Sequence, residues 1–99
     1  MPVELLQGRD DDVRLLYQAP ARAVRVAVRV EANRAVDVYA LPEYALEDFD
    51  RGRPFYCYRE SRSDRDHRFR FAPEPREQWY LVIESRSDQP TSVFYEVTW

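Results

Sequence analysis

Lysine is missing from this chain: all 15 of its basic residues are arginine. A high-GC coding sequence produces that bias. So does selection for groups that fork onto carboxylates and stack on rings, which arginine does and lysine does not. Cysteine and histidine occur once each, as Cys57 and His67, and glycine only as Gly8 and Gly52. A single cysteine excludes an intramolecular disulfide. One residue of each kind leaves no Cys/His set for zinc. Two isolated glycines leave no glycine-rich phosphate loop. Apolar runs are short, and none approaches the roughly 18 residues that a membrane helix needs. Residues 1–12, MPVELLQGRDDD, have neither the basic start nor the apolar core of a secretory leader. As written, the chain is expected in the cytoplasm, and outside it if excised from a larger protein. A net charge of −3 argues against a nucleic-acid binder, which carries a basic excess.

What is present is aromatic and β-branched. Aromatics make up 14% of the 99 residues, and the length is that of one domain spanning 1–99. Such a chain can bury a core without metals or disulfides. The sequence is organised around 78–84, QWYLVIE, which sets five apolar residues in a row. That is the pattern of a central strand buried on both faces. Trp79, Leu81 and Ile83 are expected on one side, Tyr80 and Val82 on the other.

The other segments alternate, as strands with one dry face do. Strands are expected over 3–6 and 13–18. The run 23–31, AVRVAVRVE, puts Val24, Val26, Val28 and Val30 on one face, with Arg25 and Arg29 on the other. A turn at Asn33 would return the chain along 35–41, pairing Val30 with Val36 and Val28 with Val38. Residues 42–50, PEYALEDFD, form the one helical turn, with Pro42 and Glu43 suited to its start. A second hairpin is expected from 55–60 and 67–71 around the polar turn 61–66, SRSDRD. Its register would set Phe55 against Phe71 and Cys57 against Phe69 inside, and Tyr56 against Arg70 and Tyr58 against Arg68 outside. The last strand is 91–99, with Val93, Tyr95, Val97 and Trp99 in phase. About eight antiparallel strands and one helical turn predict an all-β, jelly-roll-like sandwich of two sheets.

Little of this suggests catalysis, and no cofactor is implied. In that register Cys57 faces the core and His67 falls opposite Arg59 at a strand edge, so the two do not make a nucleophilic pair. Asp10–Asp12 and Asp64 with Asp66 are acidic turns that supply part of a calcium shell, and aspartate is common in turns for backbone reasons. The outward residues Tyr56, Tyr58, Arg68 and Arg70 form the candidate interaction patch, because tyrosine and arginine are enriched at interfaces. Tyr39, Tyr80 and Phe94 also fall on the phase opposite the apolar set of their strands. Tyr56, Tyr58 and Tyr80 are the candidates for stacking on a sugar.

From about residue 23 onward the chain resembles a β-sandwich module of prokaryotic multidomain proteins. It is similar to prepeptidase C-terminal domains and, more distantly, to Golgi-dynamics (GOLD) domains. The resemblance is carried by VDVYALPEYALEDFDRGRPFYCY and by FRFAPEPREQWYLVIESRSDQPTSVFYEVTW. One departure is the turn before the central strand, where the pattern usually holds glycine and this chain has Glu74-Pro75-Arg76-Glu77. The resemblance implies a non-catalytic accessory module beside an enzymatic or effector domain. Its expected partner is another protein or a second copy, with neither nucleic acid nor membrane involved. The alternative is a small-ligand module for carbohydrate or calcium.

Overall fold

The computed structural model describes residues 3–99. Six antiparallel strands form one hydrogen-bonded sheet: β1 (Val3–Leu6), β2 (Asp12–Gln18), β3 (Val26–Pro42), β4 (Arg59–Phe71), β5 (Gln78–Ser85) and β6 (Thr91–Thr98). A 3-10 turn (Glu43–Ala45) leads into the short helix α1 (Leu46–Asp50). The order is β1-β6-β3-β5-β2, with β4 on the other side of β3. The sheet curls as a half-barrel.

The curl comes from β3, which is 17 residues long. Its first half, through Ala32, pairs with β6; its second half, from Val36, pairs with β5. Beyond β6 lies β1, and beyond β5 lies β2. β3 thus belongs to two limbs, and the register with β4 shifts between Glu31 and Val36, where one limb passes into the other. The connection between β5 and β6 holds this bend. Asn33 Oδ1 accepts from the Ser92 amide at 2.9 Å, Arg34 donates to the Pro90 carbonyl at 2.9 Å, and the Arg86 amide donates to the Ala35 carbonyl at 3.3 Å.

This corrects the expected hairpin at Asn33. A two-residue hairpin turn needs left-handed backbone, normally from Gly, Asn or Asp. The segment 32–35, ANRA, has one candidate, and Asn33 is not among the positive-φ residues. The strand runs through instead. Val28 faces Phe69 and Val97, and Val38 faces Ser61 and Ile83.

The second expected hairpin is also absent. Residues 55–58 are irregular, while 61–66 lie within the 13-residue strand β4. The polar run reads like a turn because this half of β4 is an exposed sheet edge, where charged side chains are the rule. Its one left-handed residue is Ser63, at φ 58. That conformation makes an irregularity in the ladder, and the Ser63 amide donates to Asp37 Oδ1 at 2.8 Å. Both corrections merge neighbouring segments or lose one, so six strands replace the eight expected.

The central strand is as expected. β5 lies between β2 and β3, and Trp79, Leu81, Val82 and Ile83 have no exposed surface. The inner side of the curl joins Val28 and Val30 of one limb to Leu81 and Ile83 of the other in a single cluster with Phe69 and Phe71. Trp79 stacks on Tyr17 at 4.6 Å and meets Phe71 edge-on at 4.9 Å. The turn that lacks glycine is made by Arg76, which takes φ 68, with the Glu77 amide donating to the Glu74 carbonyl.

The outer side of the β3/β5 limb carries a second cluster, where Tyr39, Leu41 and Val82 are covered by Ala45, Leu46, Phe49, Phe55 and Cys57. The expected helical segment therefore seals this face. Arg14 clamps it, reaching Asp50 at 2.6 Å and lying 5.9 Å from the Phe49 ring centre. The hydrogen bond from Arg14 lowers the Asp50 carboxyl below its ordinary range.

Candidate interaction surface

Among the described residues, the outer side of the other limb has no such cover. Alternation and register place its residues in rows across β4, β3, β6 and β1. One row is Arg70, Ala27 and Thr98; the next is Arg68, Arg29 and Glu96; the next is Asp66, Glu31, Phe94 and Val3. Leu5 lies beyond, opposite Ser92. Val3, Leu5 and Phe94 are 55%, 53% and 42% exposed, so an apolar strip ends this face at the free edge of β1. Sheet faces in water are ordinarily polar, and clustered apolar exposure marks contact with something else.

The middle of the face holds an internal ion pair. Arg29 pairs with Glu31, and their hydrogen bond raises the Arg29 guanidinium above its ordinary value. Arg25, Arg68 and Arg70 differ: among the described residues none of the three makes an ion pair. Arg25 precedes β3 and, with Arg70, Ala27, Thr98 and Trp99, lines a depression of about 250 Å³. The face is thus basic at one end, mixed and net acidic in the middle and apolar at the other.

The predicted patch is only partly assembled. Arg68 and Arg70 are exposed and share the bare face, as expected. Tyr56 and Tyr58 have their ring centres 5.7 Å apart. Tyr58 stacks on Phe71 at 5.2 Å and its hydroxyl donates to Glu77, so it belongs to the core side of β4. The cross-strand pairs Tyr56–Arg70 and Tyr58–Arg68 do not form, because 55–58 is not a strand. Tyr39 is buried under α1, and Tyr80 packs into the same cluster.

Cys57 and His67 stay apart from each other but not as expected. Cys57 lies half-buried in the cluster under α1 rather than opposite Phe69, and burial pushes its thiol up. His67 is not at a strand edge. It is buried opposite Val30, with Nδ1 2.7 Å from Ser61 Oγ and Nε2 2.8 Å from the Asp64 carbonyl. A carbonyl only accepts, so Nε2 carries the hydrogen. With both nitrogens committed, His67 braces the irregular part of β4.

The acidic residues serve the backbone. Asp11 accepts from the Gln7 and Asp12 amides, and Asp64 from the Arg65 and Asp66 amides. Asp37, buried at 1% exposure, joins the Ser63 amide to Arg86, 2.9 Å away. Glu84 lies on β5 between Asp12 and Asp37. Burial raises its carboxyl first, and Asp10, Asp12 and Asp37 raise it further. These groups explain the shape of β3 and β4 and the loop 7–12.

Reading by sequence missed the strip at β1. The alternation of VELL was visible, and so was Phe94, but which limb the helix covers was not. No protein-family model matches the chain, and no curated protein matches it.

Proposed function

We propose that the chain is a non-catalytic accessory module that binds a protein partner, or itself, through the bare outer face of the β1/β6 limb. The observation that carries this reading is the asymmetry between the two outer faces. One is sealed by α1 and its flanks. The other leaves Val3, Leu5 and Phe94 in solvent at one end and the unpaired Arg68 and Arg70 at the other. Interface cores favour aromatics and arginine in this way. In this reading the two limbs act as the layers of a jelly-roll-like sandwich, supported by the shared inner cluster. The same architecture motivates the likeness to prepeptidase C-terminal and GOLD-like accessory domains. Neither nucleic acid nor membrane is part of the proposal. The exposed Tyr56 and Trp99 favour carbohydrate binding as the second reading.

Sedimentation velocity across micromolar to millimolar concentration, and affinity capture, test the proposal. Association or capture that is lost in Leu5→Ser/Phe94→Ser, with unchanged circular dichroism, supports it. A monomer that captures nothing refutes it, and a glycan array that lights up in its place favours the second reading.

A further inference from the structure

The basic end of the bare face has the form of a recognition site. Ala27 sits between Arg70 on β4 and Thr98 on β6, directly opposite both. With Arg25 and Trp99 these residues line the depression. Trp99 is half-exposed, and its ring is held edge-on against Tyr17 at 6.2 Å. Trp99 is therefore held from the inner side of the curl. Arg68 stands next to Arg70 along the same face.

We infer that this depression is an acid-reading subsite for an extended partner segment, taking a carboxylate between Arg25 and Arg70 and a neighbouring aromatic ring against Trp99. The inference rests on the reading of this face as an interaction surface. Three features select the occupant. First, Arg25, Arg68 and Arg70 make no ion pair among the described residues, although the chain carries a net charge of −3. Uncommitted guanidiniums on an acidic protein complement an acidic partner. Second, two guanidiniums on the lining of one small depression suit a carboxylate, which arginine holds through paired donors. Third, the volume of about 250 Å³ falls below the range of roughly 300–1,000 Å³ common for free small molecules. It suits one or two side chains of a longer chain.

The remainder of the face suits the remainder of such a segment. In the belt Arg29 is committed to Glu31 and Glu96 adds one further negative charge, and the strip at Phe94 and Val3 takes apolar side chains. The partner is thus a chain that is acidic and aromatic at one end and apolar at the other.

The probe is a fluorescent peptide alternating glutamate and tyrosine, followed by anisotropy. Its controls are the same peptide with glutamine for glutamate, the same with serine for tyrosine, and oligogalacturonate as an acidic carbohydrate. The Glu–Tyr peptide is expected to bind, and raising the salt should weaken it, because exposed charges are screened. Arg25→Gln and Arg70→Gln should each lower its affinity about tenfold, the scale of a lost charge-assisted contact. Arg65→Gln, on the exposed part of β4, should not. Trp99→Ala should weaken the Glu–Tyr peptide and leave the Glu–Ser peptide unchanged. Equal binding of the glutamine peptide, indifference to Arg25→Gln and Arg70→Gln, binding of oligogalacturonate alone, or no binding at all would each overturn the inference. Association or capture that survives Arg25→Gln/Arg70→Gln but is lost in Leu5→Ser/Phe94→Ser would overturn this subsite alone. Loss of neither would overturn the interaction surface itself.

Discussion

Glu84→Gln should make the protein more stable at neutral pH. Asp12, Glu84 and Asp37 lie directly opposite one another on β2, β5 and β3, so one row of the sheet carries three carboxylates. Asp12 is offset by Arg14 at 3.1 Å and Asp37 by Arg86 at 2.9 Å. Among the described residues Glu84 has no ion pair, and it is held partly out of water between them. Opposed cross-strand pairs are worth about 0.2–1 kcal/mol each. Two unfavourable pairs, partly relieved by the arginines, give a gain of about 1 kcal/mol on removing the charge. For a domain of this size that is a rise of about 4–8 °C in Tm. The pH dependence has a definite sign. The folded carboxyl is raised above its ordinary value of 4.5. Such a group contributes stability below its unfolded pKa and loses it as pH rises through the folded pKa. The advantage of glutamine should therefore be full near pH 7 and vanish below about pH 4. Thermal unfolding followed by circular dichroism at both pH values is the assay. An unchanged Tm near pH 7 would refute the charge argument. A gain that persisted in acid would assign the effect to packing.

Leu81→Ala should cost about 2–5 kcal/mol, the range for emptying a core site, because Leu81 is fully buried between Leu15 and Ala40. Urea unfolding measures it, and a loss under about 0.5 kcal/mol, the scale of a surface change, would contradict the central placement of β5. Arg68→Ser/Arg70→Ser should leave the urea midpoint nearly unchanged, since both side chains are exposed and unpaired, while weakening partner binding several-fold. A double variant that unfolds would make these arginines structural. Cys57 should react slowly with a thiol reagent near pH 7, because burial raises its thiol and the α1 cluster limits access. Labelling as fast as in urea-unfolded protein would contradict that packing.

Residue order alone determined the features that depend on local pattern. The run QWYLVIE can satisfy its apolar side chains only between two layers, and it became the buried strand β5. The alternation of Val26, Val28 and Val30 decided which side of β3 faces inward, and Pro42 with Glu43 marked the start of the helical turn. Arg68 and Arg70 were legible as outward residues because they alternate with Phe69 and Phe71. Strand ends and partners were not legible in this way. ANRA and SRSDRD have turn-like composition, yet neither turns the chain, because distant groups hold the Asn33 and Arg34 side chains and the Ser63 amide. Ser92 and Pro90 engage Asn33 and Arg34, and Asp37 engages Ser63. Those contacts come from residues 26 to 59 positions away, beyond any local window. They turn two expected hairpins into two long strands and so decide which limb α1 covers. That choice hides Tyr39 and Cys57 and leaves Val3, Leu5, Phe94 and the depression at Ala27 in solvent. Periodicity states which face of a strand is dry. Which wet face stays bare is decided by long-range pairing, and here that pairing set the candidate surface.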